Sequence, residues 1–291
     1  ARYRYRVGAA KPVAAEAAEE VPVDLLAENA KDRLISRLQD EIRHVRKVYK
    51  NQTRESAALD ALVDAIYEVV PTMQTVRVPK RRVVSSDVEE ESLVLLLGDL
   101  HIGEVVDPDQ TSGIAAFNVD IARRRIQYTV DTAIKIAREK MVNYHFRRLV
   151  VPILGDVVSG IIHDELRVND EVGIVGQIVV AVEILAEAIL KLCQEFEEVH
   201  IPCVVGNHGR VTEERYFKGK ATNNYDYLVY KMLEKVLADQ SNLTWDIPKA
   251  FFTVMTVENS RFLLLHGDVV KSWMGIPFYG LQRAYLKWRA L

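Results

Sequence analysis

The sequence predicts an α/β domain preceded by an α-helical arm. Two observations predict it. From residue 92 onward, short β-branched and Leu-rich runs alternate with long amphipathic segments, the pattern of a mainly parallel sheet flanked by helices. Before that point, apolar residues recur at three- and four-residue spacing with charged residues between them, which is helix without strand. A chain of 291 residues, 49% hydrophobic and 27% charged, can bury a full core. Its formal net charge of −3 gives no global attraction to nucleic acid, so such attraction must come from local patches.

The elements follow in order. Residues 1–20 are basic, then Ala/Glu-rich, and read as a mobile or partner-dependent arm. Leu34, Leu38, Ile42, Val45 and Tyr49 form one helical stripe, and Leu59, Leu62, Val63, Ile66 and Val70 a second, which Pro71 stops. The polar break at 51–55 fits either two antiparallel helices or one kinked helix. Residues 71–91 mix Pro, basic residues and Glu89-Glu90-Glu91, and read as a linker. The expected domains are therefore a helical arm with linker over 1–90 and an α/β domain over 91–291. Within the latter we expect strands at 93–98, 148–154 and 200–205, and helices at 118–141, 172–195 and 223–238. Strands at 243–247, 251–257 and 261–265 follow, the last pair joined at Glu258-Asn259-Ser260, and 278–291 reads as a final helix. Cys193 and Cys203 read as buried free thiols of a reducing compartment. No apolar stretch is expected to reach membrane-spanning length and no signal pattern opens the chain, so the expected location is the cytoplasm, with no membrane partner.

Chemistry concentrates at the strand ends. Gly98-Asp99-Leu100-His101, Gly155-Asp156, Gly206-Asn207-His208 and Leu265-His266-Gly267 each follow a short apolar run. Asp and His are costly at the edge of a core unless something binds them. In open α/β sheets, ligands sit at the carboxyl ends of strands. A lone Asp there reads as a turn residue or helix cap; the ordered set reads as a metal site. Asp99 and His101 leave an extended segment on the same side and can reach one cation. Asp156 can bridge two ions with its two oxygens, Asn207 offers a carbonyl oxygen and His266 an imidazole. Mixed oxygen and nitrogen donors suit Mn²⁺ first, with Fe, Zn²⁺ or Mg²⁺ as alternatives, rather than Ca²⁺. Two such ions, roughly 3.5–4 Å apart, would brace the attacking and leaving oxygens at phosphorus. His208, beside Asn207, would face the substrate and either protonate the leaving oxygen or stabilise the transition state.

Other residues carry paired readings. His163 either lines the substrate cleft or is a loop histidine. Arg210 either clamps a phosphate oxygen or pairs with Glu213 or Glu214. Asp268 either supports a ligand histidine or is a turn residue. His44, His145 and His200 lie away from the motifs.

The ordered motifs resemble those of the calcineurin-like metallophosphoesterase superfamily, whose pattern runs Asp-x-His, Gly-Asp, Gly-Asn-His, His and Gly-His-x-His. The resemblance spans roughly residues 93–291. It implies a layered β-sandwich flanked by helices, with Asp99, His101 and Asp156 on a first metal and Asp156, Asn207 and His266 on a second. It also implies that His208 is the catalytic histidine and that an activated hydroxide hydrolyses phosphodiesters. The segments 155–166, Gly206-Asn207-His208-Gly209-Arg210, His266-Gly267-Asp268 and Trp273-Met274-Gly275-Ile276-Pro277 resemble a phage-associated branch of phosphoesterases or DNA-processing exonucleases, which implies the host cytoplasm. The chain departs from the family pattern at three points. No histidine follows His266, and the expectation is that the sequence stops short of the last motif. Ser159 stands where some nuclease relatives place histidine. Gly209 stands where many have Asp or Glu, so the partner orienting His208 must come from elsewhere.

Basic clusters at Arg43-Arg46-Lys47-Lys50, Lys80-Arg81-Arg82 and Arg123-Arg124-Arg125 each read as a solvated helix face, and together favour a polyanion. DNA is the first expected substrate. A small-molecule phosphodiesterase, a protein phosphatase or a non-catalytic scaffold are the alternatives. The helical arm is the expected surface for a homo-oligomer or a protein partner.

Overall fold

The computed structural model describes residues 89–289, apart from 163–165, 167–169, 213–218 and 273. The expected helical arm, His44 and the basic clusters before residue 88 lie outside the described residues, as does His163. What is described is a mixed α/β unit. Its elements are β1 (Glu89–Val94), α1 (Val119–Lys135) running into a single π-helical turn (Ile136–Lys140), β2 (Tyr144–Val150), α2 (Gly173–Glu195), β3 (Glu198–Pro202) and α3 (Tyr225–Val236). β4 (Leu243–Asp246), β5 (Phe252–Val257), β6 (Ser260–Leu265) and α4 (Phe278–Trp288) follow.

β1 to β4 form one parallel sheet in sequential order, and β5 and β6 form an antiparallel hairpin. The hairpin turns its buried residues Met255, Val257 and Leu264 onto Val150, Leu154 and Val204, which stack it on the parallel sheet. The helices pack beside one another, with α2 against both α1 and α3. Local chemistry sets their bounds. Asn118 caps α1 by accepting from the Ile121 amide, and Ala122, Ile126 and Val130 make its buried stripe at helical spacing. α2 has no polar stripe of comparable width, because Ile178, Val182, Leu185, Ile189 and Leu192 are buried among its neighbours.

By length and composition α2 is apolar enough to cross a membrane, which corrects the expectation that no stretch approaches that length. Half of its most apolar window is buried inside the molecule. A core helix with neighbours on several sides is apolar for the same reason as a membrane span. Cys193 on α2 and Cys203 after β3 are free and buried; burial pushes the Cys193 thiol up to about 12.

β1 and β2 begin and end about four residues earlier than the apolar runs suggest and β3 two to three earlier, whereas β4 to β6 fall within a residue of expectation. β1 starts on Glu89-Glu90-Glu91, which pair with Tyr144, His145 and Phe146. At the other end Pro152 and Pro202 have no N–H to donate, so the regular ladder stops. The chain stays extended beyond it. The Pro152 and Pro202 carbonyls accept from Leu97 and Ile153, and isolated bridges join Leu97 to Ile153 and Ile153 to Cys203. These thin extensions carry three of the polar tips beyond the sheet, and the fourth, His266, follows β6 of the hairpin.

Candidate metal centre

Past the bridges, three tips meet on one rim. The Asp99 amide donates to the Gly155 carbonyl at 3.1 Å and the His101 amide to the Asp156 carbonyl at 3.0 Å, which ties the first turn to the second. Asp99, His101 and Asp156 adopt φ of 50°, 44° and 50°, the left-handed region that residues with a Cβ seldom occupy. Such strain persists only where the surroundings enforce it, and it concentrates at binding sites. The second and third turns touch through glycine: a Cβ on Gly206 would overlap the Asp156 carboxylate, and one on Gly155 would overlap the Gly206 backbone.

Two groups of side chains result. His101, Asp156 and His208 offer ligand atoms within 4.8 Å of one another, and so do Asp99, Asp156 and His266. The buried Asp156 belongs to both. One of its oxygens accepts from the His208 amide at 2.7 Å, and the other lies 3.0 Å from His266 Nε2. Carbonyl oxygens orient two of the rings. Nδ1 of His266 lies 2.8 Å from the Leu154 carbonyl, and Nδ1 of His208 lies 2.9 Å from the Ser159 carbonyl. A carbonyl only accepts, so Nδ1 carries the proton in both, and Nε2 is the nitrogen left for chemistry. The Ser159 carbonyl is the partner that Gly209 cannot supply. The His101 ring meets His208 edge-on at 4.6 Å between centroids, and its buried Nδ1 has no hydrogen-bond partner among the described residues.

The electrostatics follow from this packing. Burial, then the neighbouring His208, holds His101 below its ordinary value, so it is a neutral imidazole. Burial alone would raise Asp156, but hydrogen bonds from His266 and from the His208 amide outweigh it and keep the carboxylate low. Burial would lower His266, yet the hydrogen bond to Asp156 raises it to about 9. A neutral imidazole with an orphaned nitrogen, an ionised carboxylate shared by two groups and strained turns that aim the donors together fit a divalent cation. The described residues therefore hold His/Asp groups able to bind a metal ion.

The other sequence-derived residues divide. Asn207 stands on the same turn as His208, and its backbone carbonyl accepts from Arg210 at 3.4 Å. The Arg210 guanidinium also donates to the Thr212 carbonyl at 2.9 Å, bracing its own loop. Asp268 is not the partner of a histidine. Both its oxygens lie 2.7 Å from Lys220 Nζ, which also sits over the Phe251 ring, while His266 takes its partners from Leu154 and Asp156. His145 on β2 faces Glu197, and His200 on β3 faces Thr244 of β4. In the basic triplet on α1, Arg123 is committed to Glu183 and Glu187 of α2, while Arg124 and Arg125 are exposed.

Sequence reading missed Asp226, at the start of α3. It is buried, and its carboxylate accepts from the amides of Asp156, Val157, Val158 and Gly206. Burial pushes it up to about 6 even though the amide of Gly206 pulls it down. Its only sequence signal is Asn224-x-Asp226 ahead of an amphipathic run, which also reads as an ordinary helix cap. No protein-family model and no curated protein matches the chain.

Proposed function

We propose that this chain is a metal-dependent phosphoesterase of the calcineurin-like kind, hydrolysing phosphodiester bonds, with DNA as substrate. The observation that carries this reading is the sharing of Asp156 between two His/Asp groups on one strand-end rim. By the family resemblance Asp99, His101 and Asp156 would hold one ion and Asp156, Asn207 and His266 a second, whereas the observed groups pair His101 with His208 and Asp99 with His266 around the same Asp156. Mn²⁺ is the first expectation, because imidazole and carboxylate donors are mixed. Ions held there would supply charge neutralisation at phosphate and a lowered pKa for a bound water. The chain's own contribution is orientation and proton handling. Asp156 stays ionised, and its two oxygens are fixed by His266 and the His208 amide. His208, with Nδ1–H held by Ser159, leaves Nε2 for the reaction; doubly protonated, the ring would pass its Nε2 proton to the leaving oxygen and keep the one on Nδ1. The packing of β5–β6 on the parallel sheet supports a layered β-sandwich with helices outside it. The preference for DNA rests on exposed Arg124 and Arg125 and on the basic clusters of the sequence.

The test uses the full chain with Mn²⁺ against bis(p-nitrophenyl) phosphate and against single- and double-stranded DNA. Asp156→Ala and EDTA serve as controls. Hydrolysis that depends on Mn²⁺ and is lost in Asp156→Ala supports the proposal; metal uptake without hydrolysis of any substrate sinks the enzyme. A DNA affinity that does not fall with salt removes nucleic acid as the substrate.

A further inference from the structure

We infer that the first turn of α3 is a clamp for the metal centre: Asp226, assisted by Asn224, fixes the Asp156 turn against the Asn207-His208 turn. The inference rests on the metal-centre reading above. Asp226 is fully buried and no basic side chain pairs with it among the described residues. All its partners are backbone donors. One oxygen accepts from the amides of Asp156 at 3.0 Å and Gly206 at 2.9 Å. The other accepts from Val157 at 3.0 Å and Val158 at 3.4 Å. Only a carboxylate offers acceptors on both sides; an amide would turn its NH₂ toward donors.

Helix capping does not account for this carboxylate. Asn224 already caps α3, its Oδ1 accepting from the Asp226 amide at 2.8 Å. Asn224 also reaches the same turn from the other side, its Nδ2 donating to the Gly206 carbonyl at 2.9 Å. The Tyr225 amide donates to the Gly209 carbonyl, so the Gly206–Gly209 turn is gripped at both ends by three consecutive residues. Burying a carboxylate is unfavourable, and what it gains here is the joining of two backbone turns rather than apolar packing. Those two turns carry Asp156, Asn207 and His208. Asp226 touches no metal donor atom, and is therefore a positioning residue. Partners that orient metal ligands in this way typically govern affinity by about 10–100-fold.

The experiment compares full-length wild type, Asp226→Asn, Asn224→Ser and Asn242→Ala. Mn²⁺ affinity is read by calorimetry, ligand geometry by the visible spectrum of bound Co²⁺, and folding by thermal melting in EDTA. Asn242→Ala is the structural control, because it removes the bonds from the start of β4 to the Cys193 and Phe196 carbonyls at the end of α2 without touching either turn. Asp226→Asn is expected to weaken Mn²⁺ about 10–100-fold and shift the Co²⁺ spectrum, whereas Asn242→Ala lowers the melting temperature and leaves both unchanged. Wild-type affinity and spectrum in a folded Asp226→Asn protein overturn the clamp. Should that variant not fold, Asn224→Ser decides: serine keeps a cap but loses the donor to Gly206. Weaker Mn²⁺ binding supports the clamp and unchanged binding overturns it. If wild type takes up neither Mn²⁺ nor Co²⁺, the metal-centre reading itself fails, a result distinct from a wild type that binds beside variants that bind equally.

Discussion

His266 Nε2 lies 3.0 Å from Asp156 Oδ2, so the only histidine tip outside the parallel sheet closes onto the carboxylate shared by both side-chain groups. The pair has a definite pH signature in EDTA. The folded His266 value, about 9, stands above the ordinary 6.5. Its contribution is therefore fully present below pH 6.5 and is lost as pH rises through about 9. Asp156 is lowered below its ordinary 3.8, so its contribution is present above that value and lost as pH falls through the folded one. The melting-temperature difference between wild type and His266→Ala should therefore be largest near pH 4–6 and shrink toward pH 9. A difference that stays constant between pH 6 and 10 would refute the ion pair.

A cation at His266 must displace that proton. With the folded value near 9, His266 is protonated at pH 7, so Mn²⁺ uptake there should release a proton and tighten as pH rises toward 9. Calorimetry in two pH 7 buffers of different ionisation heat measures the release directly. The same titration on His266→Ala should show less release; equal release in both proteins removes His266 from the ligand set.

His208 has two neighbours that suggest different roles. It stands in one potential metal group with His101 and Asp156, while its Nδ1 is fixed by the Ser159 carbonyl as a proton donor's ring would be. Under the proposed mechanism, His208→Ala keeps the Mn²⁺ stoichiometry and lowers turnover by about 10²–10⁴-fold. Elemental analysis of the variant separates the roles, since loss of an ion would make His208 a ligand instead of the acid.

The alternation of apolar runs and amphipathic segments was enough to read the parallel sheet, its helices and the final hairpin. The bounds of β1 to β3 were not legible, because Glu89-Glu90-Glu91 extend β1 through backbone pairing alone, while Pro152 and Pro202 break the ladder inside runs that look continuous. Asp99, His101, Asp156 and His266 were legible as donors because each ends an apolar run, where an unpaired polar group is expensive. Asp226 was not, since its partners are backbone amides 70 and 20 residues away and backbone donors carry no sequence signal. The same holds for Ser159, which acts on His208 through its carbonyl. Asp268 misled because nearness to His266 in sequence suggested a contact that Lys220 takes instead.

Gly206 gives the sharpest steric test of the centre. Its φ is not in the left-handed region, so alanine there meets no backbone objection, only the Asp156 carboxylate and amide that a Cβ would overlap. Either the Asp156 turn or the Gly206 turn must move, and Asp226 joins them through amides of both. Overpacking of this kind costs about 1–3 kcal/mol. The cost should appear as a lower melting temperature in EDTA, accompanied by weaker Mn²⁺ binding. Gly113→Ala supplies the contrast: a Cβ there meets nothing within 4 Å, and its positive φ of 77° strains the backbone far from the rim. Gly113→Ala should therefore lower stability while leaving Mn²⁺ affinity unchanged. If the two variants lose metal affinity equally, the loss reports general destabilisation and not displacement of Asp156.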